Sequence, residues 1–163
     1  MTNQPSDLTL TSATGTVRRL QALITAGWPP PILSAELLAG RTEAARLLRA
    51  RRVAVRTARR VADLYDRLWD IDPAAHGATQ EAIRRAKARA EAARWAPATA
   101  WDDDRIDDPC AVPDWTGHCG TTKGVDLHHR HDIPLCPPCR AAINRRRLRN
   151  EARERRALSA AHA

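Results

Sequence analysis

Three cysteines and one histidine near the C-terminal end of the chain have the types and the spacing of metal ligands. They are Cys119, His128, Cys136 and Cys139, in the pattern C-x8-H-x7-C-x2-C. A short C-x2-C segment such as Cys136–Cys139 can direct two thiolates to one ion, and Cys3His is a usual closed, structural zinc set. Thiolates with an imidazole favour zinc over hard cations. We therefore predict one structural zinc site and no catalytic residues in this region.

The histidine of this set is less certain from spacing than the cysteines are. His129 and His131 lie close to His128, and His131 would still leave four residues before Cys136. Cys110 could instead supply a fourth thiolate, as in the iron–sulfur set of WhiB-like regulators, but the second close cysteine pair of those proteins is missing. We expect His128 to be the ligand.

The chain is strongly basic, and its charge is unevenly distributed. Its 163 residues carry a formal net charge of +8, with +7 over residues 1–100, −5 over 101–116 and +6 over 117–163. Two basic blocks thus flank a short acidic one. A sequence pI near 10.5 suggests a polyanionic partner, of which nucleic acid is the usual one.

The N-terminus has neither a cationic segment nor an apolar run of the kind that makes a signal peptide. No stretch approaches the roughly 18 apolar residues that a membrane-spanning helix needs. We therefore expect a cytoplasmic, nucleoid-associated protein with no membrane partner. Its thiols would be reduced, which favours metal ligation over disulfides.

Apolar periodicity predicts a mainly α-helical chain. Helices are expected from Val17 to a stop at Gly27, from Pro31 to about Leu38, over about 41–49, and after Thr57. Thr16 and Thr57 are candidate N-terminal caps, and Arg51–Arg52 would lie in a loop. A fifth helix, over 79–95, is rich in alanine and arginine, and a last basic helix covers about 140–157.

Residues 17–69 resemble the helix-turn-helix domain of Cro/repressor-type regulators from actinobacteria and actinophages. The resemblance rests on Trp28, Leu33 and Leu37, a turn at about 38–40, and an apolar third helix with Ala44, Leu47 and Leu48. The expected organisation is a disordered tail, a helix-turn-helix domain, a linker with a basic helix, an extended acidic strap, and a zinc module with a basic helical tail: residues 1–15, 16–70, 71–95, 96–116 and 117–163.

The resemblance implies which residues would contact DNA. The third helix would present Gly40, Arg41, Thr42 and Arg46 to the major groove, where arginine can bind guanine bidentately. Arg49, Arg51 and Arg52 would lie near phosphates, where they add affinity without reading the sequence.

Three positions depart from the helix-turn-helix pattern. Leu38 stands where the turn usually has glycine, and Ser34 replaces the small alanine that lets the two helices pack closely. Pro30 replaces a polar residue that often holds a phosphate, and it has no N–H to donate.

The C-terminal set resembles a zinc-finger-like motif of actinobacterial and actinophage proteins. The matching residues are Cys119-Gly120-Thr121, Gly124, His128, Cys136, Cys139 and Arg140-Ala141. This resemblance favours His128 as the fourth ligand, and it implies no activity.

The sequence therefore predicts a DNA-binding protein, a bacterial or phage transcriptional regulator with double-stranded DNA as its partner, acting as a homodimer or with another regulatory protein. The alternative is a non-catalytic adaptor. An HNH nuclease would use His128, His129 and Asn144, but no distal histidine follows before His162. We expect no enzyme activity.

Overall fold

The computed structural model describes residues 6–132 and 134–161, and within these ranges the chain is mainly helical. It divides into two compact units, residues 1–111 and 112–163, which we describe separately. The elements of the first unit are β1 (Leu10–Ser12), α1 (Thr14–Ala26), α2 (Pro30–Glu36), α3 (Glu43–Leu47), β2 (Arg52–Ala54), α4 (Val55–Leu68) and α5 (Gln80–Ala93), with short 3-10 turns at Pro73–His76 and Ala98–Ala100; those of the second are α6 (Thr122–Arg130) and α7 (Pro137–Ala161).

Helix α1 is the centre of the first unit. Its side chains at Leu20, Leu23 and Ile24 are fully buried, which is the three-to-four-residue spacing of a core-facing helix. The helix packs against α4 and α5. Gly27 ends it, as the sequence predicts, in a left-handed conformation with φ of 115°.

The indole of Trp28 joins the segment after α1 to the end of α4. Trp28 is fully buried, and its Nε1 donates a hydrogen bond of 3.2 Å to the carbonyl oxygen of Leu68. The buried indole N–H therefore has the partner that it needs in an apolar core. The prolines that follow begin α2, where their missing N–H groups cost nothing.

Ser34 holds α2 and α3 together. It is fully buried, and its Oγ donates to the carbonyl of Pro30 and accepts the backbone N–H of Ala44, both at 3.0 Å. Serine is still small enough for the two helices to pack closely. Its hydroxyl also satisfies one of the N–H groups that the start of α3 leaves free.

The segment between these helices differs from the prediction. The third helix was expected from Arg41 to Arg49, but α3 begins at Glu43 and ends at Leu47. The bond from Ser34 to the Ala44 amide fixes this later start, so Arg41 and Thr42 lie in the connection. That connection is longer than the three to four residues of a typical helix-turn-helix.

Leu38 adopts the backbone conformation that the glycine of such a turn would adopt. Its φ is 49°, in the left-handed region, and its side chain is 91% exposed. The backbone therefore turns at Leu38 although the residue is not a glycine. A leucine in the left-handed region is strained, and its exposed side chain makes no buried contact that would offset this strain.

The expectation of a disordered tail over 1–15 is wrong for residues 10–12, which form a strand, and for Thr14 and Gly15, which begin α1. Residues 1–5 lie outside the described part of the chain. Strand β1 pairs antiparallel with β2, with Leu10 opposite Ala54 and Ser12 opposite Arg52. Arg52 is therefore in a strand and not in a loop. Backbone pairing stabilises this two-stranded sheet, and strands of three residues are too short to show a polar–apolar alternation.

Both threonines predicted as caps lie inside helices. Helix α1 begins at Thr14, whose N–H is accepted by Ser12 Oγ at 3.2 Å, and α4 begins at Val55, directly after β2. Thr16 is buried instead. Strand β1 leads into α1 and strand β2 leads into α4, so both helices begin earlier in the chain than the apolar periodicity predicts.

The segment predicted as a linker with a basic helix contributes to the first core. Ile83, Ala86 and Ala90 of α5 are buried, and the small alanines allow α5 to lie against α1. Thr79 caps this helix by accepting the Ala82 N–H at 3.2 Å.

Most of the acidic strap is docked on α1 and does not extend freely. The guanidinium of Arg18 donates to the carbonyl oxygens of Ile106, Asp108 and Ala111 at 2.9, 2.6 and 2.9 Å. It also lies 4.4 Å from the ring centroid of Trp101. Ile106 is fully buried, so one apolar anchor and one cation fix the strap.

A second contact brings the strap close to the start of α1. Arg19 binds the Asp107 carboxylate through two hydrogen bonds of 2.7 and 2.9 Å. A Cβ atom at Gly15 would lie only 1.6 Å from Asp107 Oδ1. The absence of a side chain at Gly15 therefore makes room for the carboxylate. The strap ends with the first unit at Ala111, and residues 112–116 belong to the second unit.

The second unit pairs α6 with the first turns of α7. Helix α7 begins at Pro137, three residues earlier than predicted, because prolines are well suited to the first turn of a helix. None of the helices in the described ranges is both long enough and apolar enough to cross a membrane.

We predict that Leu38→Gly raises the free energy of unfolding of the first unit by about 1 kcal/mol, because glycine adopts φ of 49° without strain and no buried contact is lost. Urea unfolding of the full chain measures it. The control is Ala35→Gly, an exposed position within α2, where glycine should cost about 1 kcal/mol. Equal losses for the two variants would contradict the left-handed turn.

We also predict that Arg18→Met lowers the stability of the first unit by roughly 2–3 kcal/mol, because four carbonyl oxygens of the strap, that of Pro109 among them, lose a charged donor. Hydrogen exchange should show the amides of residues 105–111 losing protection first. Arg19→Gln removes only a partly exposed ion pair and should cost less than about 1 kcal/mol. A strap that stays protected in Arg18→Met would show that other contacts hold it.

Candidate metal centre and basic surface

The structure brings the four predicted ligands together in the second unit. Cys119 lies before α6, His128 in its last turn, Cys136 directly before α7 and Cys139 in the first turn of α7. The four ligand atoms all lie within 4.8 Å of one another. His128, Cys136 and Cys139 are buried, and Cys119 is partly exposed.

The distances between these atoms fit a tetrahedral site. Zinc bonds of about 2.3 Å to sulfur and 2.0 Å to nitrogen place tetrahedral ligand atoms roughly 3.5–3.8 Å apart. Cys119 Sγ and His128 Nε2 are 3.4 Å apart. The four ligand atoms therefore lie close enough together to bind one metal ion.

The loop before α6 is shaped by two glycines. Gly120 has φ of 87°, and its N–H donates to Cys139 Sγ at 3.3 Å, which ties the Cys119 loop to α7. A Cβ atom at Gly124 would lie 2.2 Å from the carbonyl oxygen of His118. Glycine at position 124 is thus needed so that the first turn of α6 can lie against the Cys119 loop.

Thr121 gives α6 its start. Its Oγ1 accepts the Gly124 N–H at 3.1 Å and donates to the His118 carbonyl at 2.7 Å. This cap fixes the first turn of α6, and His128 follows seven residues later on a face that the module buries. The glycine and threonine positions of the sequence motif therefore have a geometric role.

Asp114 and Thr116 support the site, and the sequence argument had assigned both to the acidic strap. One oxygen of Asp114 accepts the N–H groups of Cys119 and Thr116 at 3.2 and 3.3 Å, and Thr116 Oγ1 lies 3.3 Å from Cys119 Sγ. The Asp-x-Thr pattern just before Cys119 is a turn signal that could have identified them.

The protonation of the cluster depends on its burial. Burial raises the pKa of the Cys119 thiol to about 12, with a further contribution from its hydrogen bond to Asp114. Burial likewise raises the pKa of Cys139. Burial opposes the ionisation of Asp114, but hydrogen bonds from Cys119 and its neighbours still lower the pKa of that carboxyl. Metal binding at neutral pH must therefore displace protons from the thiols.

The other candidate ligands lie elsewhere. His129 and His131 are exposed, and His131 follows the last residue of α6. Cys110 is exposed and belongs to the docked strap of the first unit. Of the histidines weighed from the sequence, the structure thus places His128 in the cluster.

The residues predicted to contact DNA are all exposed, but they do not form one helix face. Four of them line an open depression of about 650 Å³ in the first unit, together with Ala45 and Ala50: Thr42, Arg46, Arg49 and Arg52. Arg41 and Arg51 are exposed beside the connections before α3 and before β2 and do not line it. Gly40 is also exposed.

Two of these arginines have partners within the unit. Arg46 makes two hydrogen bonds to Glu43, of 2.8 and 2.6 Å, and these bonds lower the pKa of the Glu43 carboxyl. Arg52 donates to the Leu10 carbonyl across the small sheet at 3.1 Å. A ligand that binds Arg46 must therefore compete with a carboxylate.

Comparison with known proteins gives no relative from which a function could be transferred. No family model, no curated protein and no solved structure matches this chain. Its function must therefore be inferred from the residues of its own two units.

Proposed function

We propose that this chain is a DNA-binding protein, a transcriptional regulator of a bacterium or phage, whose first unit contacts double-stranded DNA through the region of α2 and α3. The observation that carries the proposal is the depression near α3. Three guanidinium groups and one threonine hydroxyl line it, and its other lining residues are alanines.

This surface has the chemistry that a nucleic acid backbone requires. Guanidinium groups bind phosphate oxygens through paired N–H donors, and they can bind guanine in the same way. Arg49 has no acidic partner in the described part of the chain and is exposed, so it can contact a phosphate without losing another bond. With the docked acidic strap included, the first unit keeps a formal net charge of +3 over residues 1–111, which adds modest long-range attraction.

The Glu43 carboxylate supports selectivity in this proposal. It holds the Arg46 guanidinium in one orientation, and its negative charge repels a phosphate that approaches Arg46. A base edge that accepts two hydrogen bonds from Arg46 can replace the carboxylate. Arg46 would then discriminate between sequences, whereas Arg49 would add affinity to all of them.

We further propose that the cluster in the second unit holds a structural zinc ion. Three cysteines and one histidine form a closed set with no ligand position left for a substrate, which is usual for structural and not for catalytic zinc. The ion would connect α6 to the start of α7 in a unit with few buried apolar side chains. Its role would be folding, and it would take no part in chemistry.

A non-catalytic adaptor is the second candidate, and one surface favours it. An apolar groove of about 310 Å³ lies between the three prolines before and within α2 and the alanines of α5, with Arg85 and Arg89 at its sides. Such a groove fits an apolar segment with acidic flanks from another regulatory protein. The two functions predict different responses to the substitutions described below.

Purified protein is expected to contain about one zinc ion per chain, measured by elemental analysis. Removal of zinc by a chelator should unfold the second unit, because structural zinc typically contributes on the order of 10 kcal/mol to the folding of such a site. Each thiol bound by zinc loses a proton, so the affinity should fall as the pH is lowered. A protein that folds fully without zinc, or that carries an iron–sulfur chromophore, would contradict the assignment.

Cys136→Ser locates this effect. It should remove hydrogen-exchange protection from α6 and the first turns of α7 and leave α1 and α4 protected, because the two units have separate cores. The matched control is Cys110→Ser, an exposed cysteine outside the cluster, which should change neither the zinc content nor the protection. Loss of protection in both units would show a single cooperative fold.

For DNA binding, Arg46→Ala is expected to cost roughly 1–3 kcal/mol at a selected site and to relax base preference there. Arg49→Ala should weaken binding to all sequences and lower the salt slope by about one unit. Fluorescence anisotropy at several salt concentrations, with selected and random duplexes, measures both effects.

The control for Arg46→Ala is Arg84→Ala on α5. Arg84 is exposed and pairs with Glu81 three residues earlier, as Arg46 pairs with Glu43. The Arg84→Ala substitution removes the same charge and the same kind of ion pair, but on the surface of α5. Equal effects of the two variants, or a wild-type chain that binds no duplex at low salt, would contradict the proposal and favour the adaptor.

A further inference from the structure

Helix α7 is a long basic helix that its own unit leaves largely uncovered. It spans 25 residues, and every residue from Ile143 to Asn150 is exposed. The helix carries eight arginines and two glutamates. Its large apolar residues Ile143, Leu148 and Leu158 are all exposed, so packing in a core does not account for the length of the helix.

Four of the eight arginines of α7 lie along one side of the helix, and the two glutamates lie on the other side among further arginines. Arg145, Arg149, Arg153 and Arg156 follow one another at spacings of four, four and three residues, which places them within an arc of about 80° at roughly 100° per residue. Both acidic residues lie on the opposite side, where Glu151 is paired with Arg147 at 3.6 Å. One side of the helix is therefore an arginine stripe, which we define as these four residues.

The stripe is costly for an isolated helix. Arginines at i and i+4 repel each other, whereas a solvated helix usually alternates charges at this spacing. Arg149, Arg153 and Arg156 have no acidic partner among the residues that the structure describes. An external polyanion along this side would remove the repulsion that the sequence leaves uncompensated.

The start of α7 is held firmly. Cys139, in its first turn, belongs to the candidate metal site, and Arg145 donates to the Gly120 carbonyl at 2.9 Å. The first turns are therefore fixed to the loop that carries Cys119. The stripe continues beyond this point for about 16 Å of helix, at 1.5 Å per residue.

We infer that the arginine stripe of α7 binds the phosphate backbone of duplex DNA, with α7 lying in the major groove. An α-helix with its side chains is about 10–12 Å across, and the B-DNA major groove is about 12 Å wide. The stripe has guanidinium groups and no acidic residue, as phosphate contacts require. This inference deepens the proposed function, since both surfaces share one partner, and it assigns a second contact surface.

The test compares two triple variants of the full chain. Arg149→Gln, Arg153→Gln and Arg156→Gln remove the three arginines of the stripe that lie beyond Arg145, and Arg140→Gln, Arg147→Gln and Arg155→Gln remove equal charge from the rest of the same helix. Binding to a random 30-base-pair duplex is measured over a range of salt concentrations. The stripe triple should lower the salt slope by about two to three units, at about 0.9 per lost phosphate contact, and the control triple by less than about one.

A third variant keeps the charge. Arg149→Lys, Arg153→Lys and Arg156→Lys should retain the slope of the wild type, because lysine also neutralises phosphates. Glutamine and lysine are both good helix formers, so helix content by circular dichroism should stay unchanged in all three variants. Equal slopes for the stripe and control triples would overturn the inference, because the stripe would then contribute no more than the other arginines of the helix.

Two further results separate this inference from the proposed function. If the stripe triple binds as the wild type does while Arg46→Ala and Arg49→Ala lose affinity, the role of α7 is wrong and the proposed function stands. A wild-type chain that binds no duplex overturns both. Duplex RNA has a deep, narrow major groove that excludes a helix, so it should compete at least about tenfold more weakly than DNA; equal competition would overturn the placement in the major groove.

Discussion

The first unit depends on the burial of one helix, α1, from several directions. Helices α4 and α5 cover it, and the docked strap lies across its first turns. Such coverage needs small residues at the points of contact: Gly15 makes room for the Asp107 carboxylate of the strap, and the alanines of α5 allow that helix to lie against α1. With no phenylalanine and one tyrosine, the chain has few large rings for its core, and beside Trp28 and Tyr65 it depends on close contacts between helices.

The second unit has a different kind of core. It has two helices, and its described buried side chains are mostly the candidate ligands themselves. A small unit with so few buried apolar side chains gains little stability from an apolar core, and small domains of this kind commonly depend on a metal. Asp114, Thr121 and Gly124 bring the ligand atoms near their final positions through backbone hydrogen bonds and close packing. The chain thus combines an apolar core and a polar, ligand-centred one.

The sequence predicted the features that depend on side-chain type and spacing. The mainly helical fold followed from the apolar period, the end of α1 from Gly27, and the four residues of the cluster from the cysteine and histidine spacing. The features it missed depend on the backbone. Arg18 binds carbonyl oxygens, which every residue has, so no pattern in the strap indicates the contact. Three-residue strands are too short for a period, and Asp114 was counted by its charge when its role is to hold a turn.

The buried hydroxyl of Ser34 has a consequence for the thermodynamics of recognition. A five-residue helix is not stable in isolation, because the entropy lost in ordering its first turn exceeds the stabilisation from its few hydrogen bonds. By accepting the Ala44 N–H, Ser34 makes α3 part of the same rigid body as α2. The backbone beneath the arginines of the depression is then ordered before any ligand arrives. Binding of a ligand would then immobilise only the exposed guanidinium side chains. The entropy lost in ordering the backbone belongs to the folding of the unit and would not weaken binding.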